Sequence, residues 1–330
     1  MVRAFAWRDG ERLIRFGRGV AAEAVPAFGG PGYLLLTTAR AEATLPAVGA
    51  AAGAVHHVAG GTVPELAAAA RAATGGDHRV VALGGGRVID VAKAVAAARG
   101  GGTLALAVPT TLSGAEMTRV HQHAAGVDED TPRVRCAVVV CDPALAASQP
   151  QPELAASALN ALGHAFEGPC TIAAHPVATL AAHDAARRLV GAFHGPEPDR
   201  DELALGALLA GYTIDSAGYG LHHVLAQTLV RHGVAAHGPA NAVLLAHTTG
   251  ALAWRCEAQH AALSEALGED PAGAAARLSE RTGATRLRDL GADAATLEAC
   301  ADAAAERPQL DHTPPRADRA ELRALYHAAF

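Results

Sequence analysis

The sequence predicts an α/β N-terminal domain built on a parallel, doubly wound sheet, over residues 1–150. An all-α C-terminal domain is predicted over residues 151–330. Three observations carry this. Short apolar runs alternate with helix-length segments as far as the CAVVVCDPAL stretch. Loops rich in glycine or in hydroxyl side chains follow neighbouring apolar runs. After the Pro-rich QPQPE the period becomes helical, and no convincing strand follows as far as Phe330. Strands alternating with helices of this length imply right-handed crossovers and a parallel sheet.

In order, RFGRGVAAEAVPAF is expected to open with a turn and continue as a helix. Tyr33–Arg40, an apolar run ending in polar residues, is expected as a buried parallel strand. A helix follows at AEATLPAVGAAAG, then a strand at AVHHVAG, where His56 and His57 have no partner spacing and stand as ordinary strand residues. The helix VPELAAAARAATGG has Pro64 near its start and Gly75-Gly76 after it. HRVVALGGG reads as a strand entering a glycine turn, RVIDVAKAVAAARGGG as a helix, and TLALAVPTT as a strand. HQHAAGVDEDTPRV is polar and reads as a hairpin or loop before the strand CAVVVCDPAL. Helices are then expected over 152–168, 175–194, 200–216, 219–229, 239–255, 258–267, 271–282 and 294–306.

Composition narrows the function classes. A formal net charge of -6 without an acidic or basic block argues against a nucleic-acid surface and a polybasic membrane patch. The longest apolar candidate, LALGALLAGYTIDSAGYG, is broken by Asp215 and several glycines, so no membrane span is expected. The N-terminal stretch carries charges where a signal peptide has its apolar core, which points to a cytoplasmic protein. The five cysteines are odd in number, scattered and without a C-x-x-C pair, so reduced, mostly buried thiols are expected rather than a disulfide or zinc framework.

Three stretches carry candidate chemistry. In VVALGGGRVIDVAKA, Gly84, Gly85 and Gly86 lack a Cβ, so backbone N–H groups can approach a pyrophosphate beside a helix N-terminus. Arg87 could add a cation, Asp90 could brace the turn, and Lys93 reaches back toward it. The stretch lacks the G-x-G-x-x-G pattern, and on its own is equally a plain tight turn. AVPTTLSGAEMT follows the next strand and offers Thr110, Thr111, Ser113 and Thr118 as hydroxyls for phosphate or nicotinamide contacts. Both loops fall at the C-terminal edge of the sheet, where open α/β sheets bind ligands. At the end of the first expected strand Thr37, Thr38 and Arg40 stand without an acid, which allows a 2′-phosphate as well as a 2′-hydroxyl. In the helical half, Asn160 and His164 are four apart on one helix face, while His223 and His237 lie downstream and fourteen apart.

The glycine turn, the PTT loop with GAEMT, NALGHAFEG, and HHVLAQTL followed by AHGPANAVLL stand in this order along nearly the whole chain. Together they resemble the iron-containing alcohol dehydrogenase superfamily, and are most similar to its maleylacetate reductase branch. The resemblance implies a Rossmann-like dinucleotide domain, a helical domain, NADPH or NADH as cofactor, a small carboxylate substrate and a homodimer. Metal-dependent members of the superfamily carry an Asp, a His four residues on, and two His fourteen apart. Here Asn160 takes the Asp position, with His164, His223 and His237 matching the rest. Gln227 stands where a further His is common. The maleylacetate reductase branch resembles this chain in the Asn, in GAEMT and in GLHH, and is understood to work without a bound metal.

The expected function is therefore an NAD(P)H-dependent reductase of a keto-dicarboxylic acid such as maleylacetate, giving 3-oxoadipate. His223 or His237 is expected as proton donor, with His164 and Asn160 positioning the carbonyl or a carboxylate. His222 is expected behind that shell, His232 further away, Glu116 as a loop-ordering residue, and Glu167 as a surface or interdomain residue. One alternative is a metal-dependent alcohol or aldehyde dehydrogenase using Asn160, His164, His223 and His237. Another is a recruited biosynthetic relative with a non-redox or purely binding role.

Overall fold

The computed structural model describes residues 2–72 and 77–330. The Gly75-Gly76 stop expected after the second long helix lies outside the described residues. Two compact units emerge: residues 1–148 with Arg200–Leu205, and residues 149–199 with Gly206–Phe330.

The first unit is built on seven strands: β1 Phe5–Asp9, β2 Arg12–Phe16, β3 Leu34–Thr37, β4 Ala54–His57, β5 Arg79–Gly84, β6 Leu104–Pro109 and β7 Cys136–Cys141. Their order is β1-β2-β7-β6-β5-β3-β4. Every pairing is parallel except the β1–β2 hairpin. Helices α1 Ala24–Ala27, α2 Ala39–Thr44, α3 Pro46–Ala50, α4 Val63–Ala72 and α5 Gly86–Arg99 belong to the same unit. Leu34–Leu36 and Val80–Leu83 are wholly buried, as a parallel sheet covered on both faces requires. Phe28, Tyr33, Leu35, Val81, Leu83, Leu106, Val108 and Val140 pack together as one side of that core.

Register places the functional edge. Thr37 pairs with Leu83, and Gly84 with Pro109, so β3, β5 and β6 end side by side. From β3 the chain moves outward to β4, whereas β5, β6 and β7 proceed the other way. The β3–β5 boundary is therefore the switch point, where loops diverge and leave a crevice for a ligand.

The N-terminal hairpin departs from expectation. The sequence predicts only the turn and helix that follow it. In β2, Arg12, Ile14 and Phe16 face inward, so a cation occupies a core position and blurs the apolar alternation. Arg12 is 1% exposed, donates Nη1 to Met117 O at 2.7 Å and pairs with Asp9. The expected strand Tyr33–Arg40 ends at Thr37, because Thr38 caps α2 by accepting from Ala41 N at 3.2 Å.

The second unit is helical: α6 Gln151–Glu167, α7 Pro176–Gly191, α8 Arg200–Ala217 (whose first turns group with the first unit), α9 Leu221–Arg231, α10 His237–Arg255, α11 Glu257–Leu267, α12 Pro271–Ser279, α13 Ala294–Ala305 and α14 Arg319–Ala328. No described helix is long and apolar enough to cross a membrane. Helix α6 is buried along nearly its whole length against α7, α10 and α12, which its many small residues permit. Leu225, Leu229, Leu244, Leu252, Leu297 and Tyr326 form a second core, and the Tyr326 hydroxyl donates to Leu225 O at 2.9 Å. Helix α14 was not expected, although Asp318, which accepts from Glu321 N at 2.9 Å, is a plain N-cap signal.

The cysteine expectation needs correction. Cys170 and Cys256 are joined in a disulfide, with Cα atoms 5.7 Å apart across 86 residues. The bond links the turn after α6 to the end of α10, a meeting that sequence spacing does not reveal. Cys136, Cys141 and Cys300 are free and buried, as expected for ordinary thiols.

Because Arg12 ties β2 to the loop after β6, Arg12→Met is expected to destabilise the protein by about 3 kcal/mol, through an orphaned carbonyl and an unpaired Asp9. A urea-unfolding midpoint equal to that of the wild type would refute this.

Candidate active site

Two loops meet at the edge of the sheet. A Cβ on Gly85 would lie 3.0 Å from Thr111 Cγ2, and one on Gly86 would lie 2.8 Å from Ser113 Cβ. The glycines thus allow the loop after β5 to lie against the loop after β6, with Thr110 N bonded to Gly84 O at 3.0 Å. Gly85 is the N-cap of the fourteen-residue α5, and its extended backbone (φ -80°, ψ -178°) leads the chain into the helix. Thr110, Thr111 and Ser113 remain partly exposed at this edge. Open N–H groups of a long helix, glycine backbone and hydroxyls together suit a phosphate group.

Other candidates are placed elsewhere. Lys93 is fully buried. Its Nζ donates to Ala115 O at 2.8 Å, Thr118 O at 3.1 Å and Val120 O at 2.8 Å, and pairs with Asp90 at 2.8 Å. It is a strut that holds the GAEMT loop, which corrects the expectation that it reaches a cofactor phosphate. Asp90 and Thr118 belong to the same strut, with Thr118 Oγ1 at 3.4 Å from Nζ. Glu116 is buried beside it, and burial lifts its carboxyl to about 7 against the pull of Lys93. Thr38 is spent on capping α2, while Arg40 and Arg87 are exposed. The acid nearest in sequence to Thr38, Glu42, pairs with His57 at 2.7 Å.

In the helical unit the predicted residues gather. Asn160 and His164 lie one turn apart on α6 and are 3% and 5% exposed. His223, on the first turns of α9, is 2% exposed, and its ring stacks on that of His164 with centroids 4.8 Å apart and planes at 27°. His237 opens α10 and is exposed. It lies near enough for its charge to oppose protonation of His164, His222 and His223. His232 sits past the end of α9 on the surface.

Glu167 was expected at the surface or between domains, and this is wrong: it is fully buried. One turn past His164, it accepts from His222 N at 2.6 Å, His223 N at 3.4 Å and His223 Nδ1 at 2.8 Å. Its spacing, three residues past His164 and seven past Asn160 on the same helix face, was the signal available in the sequence. The contact sets the tautomer of His223, with hydrogen on Nδ1 and a lone pair on Nε2, and Nε2 is buried without a partner. His222 stands behind, its Nδ1 donating to Thr248 Oγ1 at 2.8 Å, since that hydroxyl itself donates to Leu244 O. Gly163 makes the approach possible, as a Cβ there would lie 2.6 Å from His222 Nε2 and 3.3 Å from His223 Cε1.

The cluster is electrostatically quiet. Burial pulls His222 and His223 down to about 3 and holds His164 well below its ordinary value. Burial also raises Glu167, but N–H donors from the start of α9 favour its charged form. The rings are therefore neutral in the absence of an anion.

As donors for a divalent ion, Asn160, His164, His223 and His237 supply no anionic ligand, and an amide oxygen is a weak one. His164 and His223 turn ring faces, not ring nitrogens, toward each other. Among the described residues no group of three or more His, Cys, Asp or Glu is set to hold a metal ion. The side chains as placed do not fit such an ion.

A phosphate-suited sheet edge and a buried imidazole cluster, carried on separate units of one chain, define a protein of the dehydrogenase type. Residues 154–330 match the Fe-containing alcohol dehydrogenase family, C-terminal. The chain is 32% identical over 263 residues to maleylacetate reductase 1 of Rhodococcus opacus, a match covering 76% of this chain and 72% of that protein. It is 32% identical over 292 residues to maleylacetate reductase of Pseudomonas aeruginosa, covering 84% and 80%. The crystal structure of maleylacetate reductase from Rhizobium sp. strain MTP-10005 superposes with a TM-score of 0.83 at 27% identity, covering 100% of this chain and 99% of that one. The chain belongs to the Fe-containing alcohol dehydrogenase family, and is an oxidoreductase.

Gly163→Ala is expected to cost about 2 kcal/mol by overpacking α6 against the His222 and His223 rings. It should also displace His223 from Glu167, so calorimetry and turnover should fall together; an unperturbed melt would contradict the packing. Acidification gives an independent check. The histidine pKa values lie below the ordinary 6.5 in the folded state, so below that pH the unfolded chain takes up protons the folded one refuses. Stability should be complete above pH 6.5 and decline toward about 3, with each such histidine adding about 1.4 kcal/mol per pH unit of slope. Replacing His223 by Asn should flatten the decline; an identical slope would show that its burial does not govern the acid limb.

Proposed function

We propose that the protein is an NAD(P)H-dependent reductase of the maleylacetate reductase type, acting on a keto-dicarboxylic acid such as maleylacetate to give 3-oxoadipate. The observation that carries this reading is the His223–Glu167 pair, with Nδ1 braced by a carboxylate and Nε2 buried without a partner. The maleylacetate reductases matched over most of the chain support the substrate class.

The chemistry uses side chains. A bound dihydronicotinamide would supply the hydride for the carbon–carbon double bond conjugated to the ketone. The electron pair moves to the carbonyl oxygen as an enolate, and a proton completes the reduced keto acid. His223 is neutral until a dianionic substrate binds. The substrate's charge then raises the imidazole pKa, so the proton arrives with the substrate and is delivered from Nε2. Glu167 holds the ring and offsets the imidazolium charge. His164 and Asn160 position the carbonyl or a carboxylate, and His237 is the alternative donor. Gly84, Gly85, Gly86, Thr110, Thr111 and Ser113 would hold the dinucleotide phosphates and nicotinamide, and Arg40 and Arg87, both exposed, are the cations available for a 2′-phosphate. A homodimer in the cytoplasm belongs to the same reading.

The test follows loss of dihydronicotinamide absorbance with maleylacetate, using NADPH and NADH, before and after chelation. Turnover that survives chelation is expected. A stoichiometric zinc or iron that restores lost activity would replace this reading by a metal-dependent dehydrogenase, and failure to bind either dinucleotide would overturn both.

A further inference from the structure

We propose that Arg307, with Gln227 and Tyr219, forms the subsite for the substrate carboxylate remote from the reacting carbon. This rests on the keto-dicarboxylate reading above and adds the residues that would select for the second acid group.

Arg307 follows α13 at the entry to a short turn over Pro308–His312 and is half-buried. Its Nη2 donates to Gln227 Oε1 at 2.9 Å and its Nε to Gln309 Oε1 at 3.2 Å, while Nη1 is buried without a partner. These partners are neutral amides. Three other guanidiniums among the described residues are each matched by an acid: Arg12 by Asp9, Arg79 by Asp77 and Arg255 by Glu321. A buried cation is costly without a counter-charge, so a guanidinium held only by neutral groups, two amides and the Tyr219 phenol, suits an anion from outside. Burial and the nearby charge of Arg231 pull its pKa down, whereas the Tyr219 phenol, hydrogen-bonded to it, opposes that shift.

Location connects this cation to the reacting groups. The Tyr219 ring lies 6.0 Å from the His223 ring, centroid to centroid. Gln227 lies four residues beyond His223 on α9, one turn along the same face and about 6 Å away by helical rise. Arg307 therefore touches both a neighbour of the His223 ring and the next turn of its helix. A buried, unpartnered guanidinium N–H, the Gln227 amide N–H groups left over after Oε1 accepts from Arg307, and a phenol are donors suited to the planar geometry of a carboxylate. Nothing in the cluster presents a competing acid among its hydrogen-bond partners.

The experiment compares wild type with Arg307→Gln and Arg307→Lys on a keto-dicarboxylate and on its ester at the remote carboxyl. Loss of a charged hydrogen bond should raise KM for the diacid about 30-fold with little change in kcat. The preference for diacid over ester should fall by a similar factor, and Arg307→Lys should recover part of it. Equal preference in wild type and Arg307→Gln, or parallel loss on diacid and ester, would overturn the assignment in favour of a structural strut. Thermal shift with adipate as a non-reacting diacid separates this from the broader reading. Protection is expected in wild type and should be lost in Arg307→Gln, whether or not maleylacetate is turned over. Absence of protection in wild type would remove the subsite, while reduction of maleylacetate would still stand or fall by its own assay. If Arg307→Gln does not fold, Gln227→Leu is expected to weaken adipate protection without removing the cation; full protection there would count against the subsite.

Discussion

The carboxylate of Glu167 is the constraint on which the helical unit's chemistry depends. It lies at the end of α6 and accepts two N–H groups from the start of α9, at 2.6 and 3.4 Å. Those are donors that a helix cannot satisfy internally, at the end where its dipole favours an anion. The same carboxylate takes Nδ1–H of His223. One group thus docks α9 on α6, caps it, and fixes the direction in which an imidazole presents its lone pair. Gly163 supplies the close approach of the helices and Thr248 holds the second ring behind. A longer acid side chain is used because Glu167 belongs to one helix and must reach the backbone of another.

The α/β unit applies the inverse device. Two buried cations, Lys93 and Arg12, bind backbone carbonyls of the GAEMT loop and are each balanced by one acid, Asp90 and Asp9. Carbonyls of an irregular loop need donors wherever water is excluded. A lysine on α5 and an arginine on β2 supply them from two elements, and this fixes the loop's position on the sheet. That in turn lets Thr111 and Ser113 sit against Gly85 and Gly86. The glycine turn is therefore held from below by charge and from the side by contact, which keeps its backbone N–H groups available.

Period and spacing made most of this legible. The run from β3 to β7, the helices from α6 to α13 and the gathering of Asn160, His164 and His223 all follow from apolar repeats and motif order. What failed did so for identifiable reasons. The β1–β2 hairpin was hidden because Arg12 occupies a core position, and α14 because a Pro-rich stretch precedes its capping Asp318. Lys93 and Glu167 were misassigned because a charged residue on a helix reads as solvated or ligand-facing, and only tertiary packing shows that its partner is protein backbone. The Cys170–Cys256 bond required knowing that the ends of α6 and α10 meet.

Asn160 acquires an electrostatic meaning from these findings. His164, His222 and His223 are held neutral by burial, so the cluster carries little positive charge before a ligand arrives. In such a site an aspartate at position 160 would stand as a buried anion with no cation to offset it. An amide avoids burying that anion while keeping a hydrogen-bonding group. On the proposed reading the anion that charges the histidines is then the substrate itself. The positive charge needed for proton delivery develops only when a dianion is bound, so an empty site holds no proton poised for transfer. Glu167, kept on the far side of the His223 ring by backbone N–H groups, can offset that imidazolium without competing for the face the substrate uses.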